Sequence, residues 1–143
     1  MANNLVMQLY VSESALVSDT ADLSVEEIVS AAITKNRTLC VTGGLVFTGK
    51  YFAQVLEGAP DVVDGLMASI ERDARHRQIR TVAKSMIAER RFATWDLAYA
   101  GPSRFVSSYI TRIIDERTAA LPAHSANWLI SLIEEFAVIN ATR

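Results

Sequence analysis

The chain has 143 residues, of which 50% are hydrophobic and 21% charged, and it carries a net charge of −2 at pH 7. This length suits a single domain with a substantial core, and the near-neutral balance excludes the strongly basic surfaces that bind nucleic acid or anionic lipid. A single cysteine rules out an intrachain disulfide, and the lack of a signal peptide or a long apolar run predicts a cytoplasmic protein.

The chain begins with a predicted strand followed by a predicted helix. Apolar and polar side chains alternate over 5–12, which is typical of a strand. Ser24 and Glu27 have the spacing of a helix capping box, in which each side chain binds a free backbone N–H of the first turn. Apolar residues then continue at helical spacing, so the helix is expected to run to about Asn36.

A hairpin of two apolar strands is predicted next. Residues 38–47 and 50–57 are rich in β-branched and aromatic residues, and a short turn separates them. Cys40 falls in the first run, where it is expected to be a small buried strand residue. Gln54 lies in the middle of the second run. Because an unpaired buried amide costs about 1–3 kcal/mol, Gln54 should have a polar partner.

A second helix and two more strands complete the predicted sheet. Pro60 opens the helix, since a residue without an N–H costs nothing in the first turn, and a polar cluster that includes His76 is expected to end it. Residues 78–88 and 93–99 are predicted to be strands. The order β-α-β-β-α-β-β predicts a ferredoxin-like α+β fold, in which one sheet carries two helices on one face.

Several predicted strands are apolar on both faces, so a further element should cover the second face of the sheet. Beyond Pro102, apolar residues at helical spacing predict two helices at about 103–120 and 125–140. We expect these helices to lie on the open face or against a neighbouring subunit. The chain therefore divides into a sheet domain at 1–101 and a C-terminal helical cap or output extension at 102–143.

The motifs of common hydrolases and metalloproteins are missing from the sequence. His76 and His124 are the only histidines, so neither a Cys/His zinc set nor an H-E-x-x-H motif can form. There is no phosphate-binding loop and no nucleophile elbow. The first arginine is Arg37, which argues against an acylphosphatase, because that enzyme has an early arginine on this type of fold.

A set of polar motifs is spread over about residues 4–100. They are Tyr10-Val-Ser, Lys35-Asn36, Thr42-Gly43, F-A-Q-V-L-E-G at 52–58, D-x-R-H at 73–76 and R-R-F-x-x-W at 90–95. Eighteen residues separate Asn36 from Gln54, and forty-one separate Gln54 from Trp95. In both motifs and spacing the chain resembles the BLUF family, blue-light sensors that use flavin.

The resemblance implies a flavin between the two helices on one face of the sheet, with FAD expected and FMN as the alternative. Tyr10 and Gln54 match the family's photochemical pair, in which the glutamine lies between the tyrosine and the flavin ring. Asn36 matches the asparagine that binds the ring edge. The other positions that match cofactor contacts are apolar residues beside the ring and polar residues towards the ring edge, ribityl and phosphate: Ile28, Phe52, Ile70, Lys35, Asp73, Arg75 and His76.

The resemblance also implies how the protein signals. In such proteins light makes the flavin an oxidant, the tyrosine passes it an electron and, through the glutamine, a proton, and the glutamine ends as another rotamer or tautomer. Trp95 and Leu97 match positions linked to signal output through the last strand. We therefore expect a photoreceptor without an enzymatic domain that signals to a homo-oligomer or a partner protein, with no nucleic-acid or membrane contact.

Three positions depart from the family pattern. Leu97 stands where many members have a methionine, Ala32 where a serine is frequent, and Ser69 where some members have an arginine. Leu97 and Ala32 leave open the alternative of an interaction module that keeps the BLUF-like fold without photochemistry. A small ferredoxin-like hydrolase is a further alternative, against which the missing early arginine argues.

Overall fold

The computed structural model describes residues 4–15, 21–92, 98–100, 127 and 129–135. These residues include five strands and two helices in the predicted order, followed by a helical segment at 129–135, which confirms the ferredoxin-like α+β fold. The elements are β1 (Leu5–Ser14), α1 (Ala21–Leu39), β2 (Thr42–Phe47), β3 (Tyr51–Gly58), α2 (Pro60–Glu71), β4 (His76–Ile87) and β5 (Ala98–Ala100). In the ranges described, no helix is long and apolar enough to cross a lipid bilayer.

The five strands form one sheet in the order β4-β1-β3-β2-β5. β5 pairs with β2 in parallel, and the other neighbours are antiparallel. The register places Gln54 of β3 opposite Tyr10 of β1 on one side and opposite Leu45 of β2 on the other. Directly opposed residues have Cβ atoms about 4.5–5.5 Å apart, so this register brings Tyr10 and Gln54 together on one face.

The two faces of the sheet are covered by different parts of the chain. The face beneath α1 and α2 has a core formed by Val6, Tyr10, Val41, Leu45, Phe47, Phe52, Leu56, Val63, Leu66 and Met67. The core on the opposite face is formed by Leu9, Val11, Val46, Tyr51, Ala53, Val55, Phe92, Leu129, Ile130 and Ile133. Strands β1 and β3 are buried on both faces over most of their length, which is why both faces of each strand carry apolar side chains.

The opposite face is covered by the C-terminal helical segment, residues 129–135. Leu129 and Ile133 are fully buried there, and burying each such side chain contributes about 1.5–3 kcal/mol. The segment approaches the sheet closely at Gly44, where an added Cβ would lie 2.6 Å from Cγ2 of Ile133. The prediction that a C-terminal helix covers this face is thus confirmed for this segment. The predicted helix at 103–120 lies outside the described residues.

The prediction that Cys40 is a buried strand residue was wrong. Cys40 is exposed and has a φ of 56°, immediately after α1. The N–H of Cys40 donates to the carbonyl of Arg37 at 3.3 Å, and that of Val41 donates to the carbonyl of Asn36 at 2.8 Å. This is the Schellman arrangement that ends helices, with Cys40 in the left-handed position usually taken by glycine. β2 accordingly begins only at Thr42.

Two predicted helix boundaries were also wrong. α1 begins at Ala21, ahead of the predicted cap at Ser24, and α2 ends at Glu71 rather than in the polar cluster near His76. His76 is instead the first residue of β4, where it pairs with Ser14 of β1. Pairing with β1 supplies backbone partners that local sequence does not reveal.

Candidate functional site

A cavity of about 300 Å³ lies between α1 and α2, above the sheet. This volume is at the lower end of the range for small-molecule and cofactor sites. Its apolar lining is Ile28, Ala31, Ala32, Leu45, Phe52, Leu66 and Ile70, and its polar lining is Tyr10, Lys35, Asn36, Gln54, Ser69, Asp73, Arg75 and His76. Every residue that the sequence assigned to photochemistry or cofactor contact therefore faces this one cavity. The two output positions, Trp95 and Leu97, lie outside the described residues.

Helical spacing explains how α1 contributes a continuous wall. Ile28, Ala32 and Asn36 follow one another at intervals of four, so they lie on one face of the helix. Asn36 is 3% exposed, which places a full amide in the buried end of the cavity wall. Lys35, beside it, is exposed and lies at the rim.

Five lining residues were not assigned to the site from the sequence: Ala31, Ala32, Leu45, Leu66 and Ser69. Their spacing from Ile28 on α1 and from Ile70 on α2 indicates that the residues on the two helices face the same cavity. Leu45 lies opposite Gln54 in the sheet register. That register is set by tertiary packing, so only the helix positions carried a usable sequence signal.

Gln54 has the polar partner that its burial requires. The hydroxyl of Tyr10 donates a hydrogen bond to Oε1 of Gln54. Both side chains are buried, with 3% of Tyr10 and 6% of Gln54 exposed. An amide also carries two N–H donors, so Gln54 can accept from the phenol and donate to another group at the same time.

Burial keeps Tyr10 protonated. Loss of hydration raises the pKa of the Tyr10 phenol far above its usual value, and the negative charge of Asp73 acts in the same direction. A tyrosine whose folded pKa is raised stabilises the fold below its unfolded pKa of about 10, and this contribution is lost as pH rises through the folded pKa. The neutral phenol is thus available as a donor to Gln54 at all physiological pH values.

Alkaline titration should reveal this raised pKa. The chain has four tyrosines, so we expect wild-type protein and Tyr10→Phe to ionise the same number at a pH of about 11 while both remain folded. Ultraviolet absorbance of tyrosinate measures the count, and circular dichroism checks the fold. Unfolding both proteins in denaturant at that pH should expose one additional tyrosinate in the wild type. An additional tyrosinate before unfolding would contradict the raised pKa.

His76 is fixed as part of the cavity wall. Its Nε2 lies 2.7 Å from the carbonyl of Ile70, and its Nδ1 lies 2.9 Å from Oγ of Ser12. A carbonyl can only accept, so Nε2 carries a hydrogen, and in the neutral ring Nδ1 accepts from Ser12. The ring stands edge-on to Tyr10 and Phe52, at centroid distances of 6.1 and 6.0 Å. Ser12 was not singled out from the sequence as part of the site.

An ion pair lies at the rim of the cavity. Oδ1 of Asp73 accepts from the backbone N–H and from Nε of Arg75, both at 2.9 Å. These hydrogen bonds and the guanidinium charge hold the pKa of Asp73 below its usual value. Arg75 and Lys35 both line the cavity and are exposed, so they present positive charge where an anionic group of a ligand could reach them. Among the residues described, no group of three or more His, Cys, Asp and Glu could hold a metal ion.

Comparisons with known proteins agree with the motifs. The BLUF family model, described as sensors of blue-light using FAD, matches residues 5–98. The photoactivated adenylate cyclase subunit beta of Euglena gracilis is 29% identical over 96 residues, which are 67% of this chain and 11% of that protein. The chain thus spans about a tenth of the length of the curated relatives that it matches first.

Solved structures share the fold. The photo-activated state of BlsA superposes with a TM-score of 0.76 at 20% identity, over 91% of this chain and 94% of the other. The dark-state structure of the BLUF protein BlrB superposes with a TM-score of 0.70 at 24% identity, over the whole of both chains. The fold agrees with these structures, and the family model covers well over half of the sequence. The chain therefore belongs to the BLUF family of blue-light sensors.

Proposed function

We propose that this protein is a blue-light photoreceptor that holds a flavin, FAD in the first instance, in the cavity between α1 and α2. The observation that carries the proposal is the buried hydrogen bond from Tyr10 to Gln54 in the cavity wall. A phenol that can be oxidised and an amide that can relay a proton are thereby joined, with both side chains buried.

The lining residues fit a flavin. Ile28 from α1 and Ile70 from α2 are the apolar side chains that would flank a planar ring, with Phe52 beneath. The buried amide of Asn36 would pair with the carbonyl and N–H edge of the ring, since an amide offers both a donor and an acceptor. Polar residues at the rim, Lys35, Asp73, Arg75 and His76, would hold the ribityl and phosphate groups.

Tyr10 and Gln54 are the switch. When bound, a flavin supplies absorption of blue light and an excited state that accepts an electron from a nearby phenol. An oxidised phenol is a strong acid, so the Tyr10 proton moves along its hydrogen bond to Oε1 of Gln54. Gln54 would pass a proton from Nε2 to the flavin in turn, and the return of the electron and a proton to Tyr10 would leave the glutamine as the imidic tautomer or as a rotated amide. Either change exchanges donor and acceptor at the cavity wall, which gives the pair two states.

The output of this switch is a change in contacts rather than a chemical reaction. We propose residues 1–101 as the sensor and residues 102–143 as the C-terminal helical cap or output extension. Trp95 and Leu97, which lie near the end of the proposed sensor range, carry the signal towards the C-terminal residues. The receiver is a second copy of this chain in a homo-oligomer or a downstream protein in the cytoplasm. The burial of Leu129, Ile130 and Ile133 against the sheet supports this role, because they pack on the face opposite the cavity.

The visible absorption spectrum before and just after blue light tests the proposal. We expect a flavin spectrum that shifts slightly to the red and reverts in darkness. Chromatography of the flavin released from denatured protein identifies FAD or FMN. A flavin spectrum without a reversible shift would instead favour an interaction module without photochemistry. A colourless protein that takes up no added flavin would overturn the cofactor assignment.

A further inference from the structure

Glu57 is a buried acid on β3 that lies outside the cavity. Only 1% of it is exposed, and its side chain takes part in three hydrogen bonds. Oε1 accepts from Oγ1 of Thr42 at 2.8 Å and from the backbone N–H of Phe92 at 3.0 Å. Oε2 accepts from the backbone N–H of Arg91 at 2.7 Å. Each oxygen thus accepts from a different backbone N–H, which is the pattern of an ionised carboxylate with its charge fully hydrogen-bonded.

Arg90 adds hydrogen bonds that hold its own chain segment, residues 90–92, against the same two strands. Its Nη1 donates to Oγ1 of Thr42 and to the backbone carbonyl of Glu57, both at 2.9 Å. Its Nη2 donates to the backbone carbonyl of Cys40 at 2.8 Å. The segment 90–92 is therefore tied to β2, to β3 and to the end of α1 by five hydrogen bonds, two to the Glu57 carboxylate and three from Arg90.

The same segment also binds the C-terminal helical segment. Nε of Arg91 donates to Oε2 of Glu134 at 2.9 Å, and its Nη2 donates to Oγ of Ser131 at 3.2 Å. Phe92 is fully buried and packs with Ile133, and both approach the backbone at Gly44. Residues 90–92 consequently have the cavity-bearing sheet on one side and the helical segment on the other.

We propose that Glu57 is the positioning residue that couples the cavity to the C-terminal helical segment. Gln54 and Glu57 lie three residues apart on β3, with Gln54 at the cavity and Glu57 on the opposite face. A shift of β3 that accompanies the change at Gln54 moves the carboxylate. Two short backbone hydrogen bonds then carry that movement to Arg91 and Phe92, and so to residues 129–135. This inference rests on the proposed function, because it needs a light-dependent change at Gln54.

The variant Glu57→Gln tests the coupling in the full chain with its flavin. A glutamine of the same shape must turn its NH₂ towards one of the two backbone N–H groups, so at least one of the two bonds breaks. Two quantities are measured in darkness and under blue light: the flavin red shift, and the hydrogen–deuterium exchange of peptides that contain residues 129–135. We expect the wild type to show both changes with light. We expect Glu57→Gln to keep the red shift and to lose most of the light-dependent exchange difference.

Two further variants make the result decisive. Glu13→Gln is the matched control, because it makes the same chemical change on β1, where Glu13 forms a partly exposed ion pair with Arg77 of β4, and it should behave as the wild type. Arg91→Gln removes the bonds to Glu134 and Ser131 from an exposed position, so it should fold and should reduce the exchange difference. If Glu57→Gln fails to fold, Arg91→Gln alone decides: a full exchange difference overturns the coupling, and a reduced one supports it.

The outcomes separate this inference from the function on which it rests. A wild type with a red shift but no light-dependent exchange at 129–135 overturns the coupling and leaves the photoreceptor intact. A Glu57→Gln protein that keeps both the red shift and the light-dependent exchange difference also overturns the coupling and leaves the photoreceptor intact. A wild type without any reversible red shift overturns the proposed function, and the coupling with it.

Discussion

Gln54→Leu is expected to bind flavin and to show no reversible red shift after blue light. Leucine has nearly the same volume as glutamine and keeps the cavity wall packed, but it removes Oε1, the acceptor of the Tyr10 proton. The bound cofactor loses one amide contact, worth about 0.5–1.5 kcal/mol, so affinity should fall by no more than about tenfold. Leucine cannot accept the Tyr10 proton in place of Gln54, so the light-induced red shift should disappear entirely.

Tyr10→Phe should give the same spectral result by a different route. Phenylalanine keeps the ring in the core but removes the hydroxyl, so no proton and no readily oxidised phenol remain beside Gln54. The substitution leaves Oε1 of Gln54 buried without its donor, which should lower the free energy of unfolding by about 1–3 kcal/mol. Difference spectra before and after illumination measure the first effect, and chemical denaturation measures the second.

Gln8→Leu is the matched control for Gln54→Leu. Gln8 is also a buried glutamine, two residues before Tyr10 on β1, but its Nε2 donates to Thr81 at 3.0 Å and its Oε1 has no partner within the described part of the chain. Its replacement should therefore leave both flavin binding and the red shift unchanged. A normal photocycle in Gln54→Leu or in Tyr10→Phe would show that the relay has been assigned to the wrong pair.

Gly43→Ala is expected to destabilise the fold by about 3 kcal/mol or more, at the upper end of overpacking effects. A Cβ at Gly43 would overlap the carbonyl oxygen of Val55 and lie 3.0 Å from its carbonyl carbon. Both atoms belong to the backbone of β3, which is paired on both sides and cannot move aside cheaply. The close approach of the two strands is the physical reason for a glycine at this position in the Thr42-Gly43 motif.

Gly65→Ala is the control for that substitution, and it should change the stability of the fold in the opposite direction. Gly65 lies on the exposed side of α2, and nothing is within 4 Å of an added Cβ. Alanine in a helix interior is favoured over glycine by about 1 kcal/mol, so this variant should be more stable than the wild type. Denaturation midpoints of the two variants, measured side by side, check the prediction. Equal destabilisation in both would mean that the packing around Gly43 is not the cause.

Much of the site could be predicted from the sequence because its parts lie on regular elements. Ile28, Ala32 and Asn36 follow the period of a helix, and Gln54 stands out because a buried strand amide must be paired. The glutamine's partner, however, could be named only through the family resemblance. Forty-four residues separate Tyr10 from Gln54, and only the pairing register of β1 and β3 places them opposite each other.

The local errors have a common physical cause. The apolar run that contains Cys40 has the composition of a strand, yet Cys40 ends α1 with a left-handed backbone conformation that composition does not encode. His76 follows a helix and has helix-end neighbours, yet pairing with Ser14 of β1 makes it the start of a strand. For Cys40 the hydrogen bonds of the helix end outweighed the local strand preference, and for His76 the pairing with β1 outweighed the local preference for a helix end.

The sequence by itself determined the order of strands and helices, the apolar composition of both sheet faces and the need of Gln54 for a polar partner, because these follow from local periodicity and from the cost of burying polar groups. The tertiary structure alone decided the cavity between α1 and α2, the Tyr10–Gln54 hydrogen bond and the attachment of Arg91 and Phe92 to Glu57. Those features join residues far apart in the chain. Their geometry depends on strand register and on how each helix packs on its sheet face, and no local pattern specifies either.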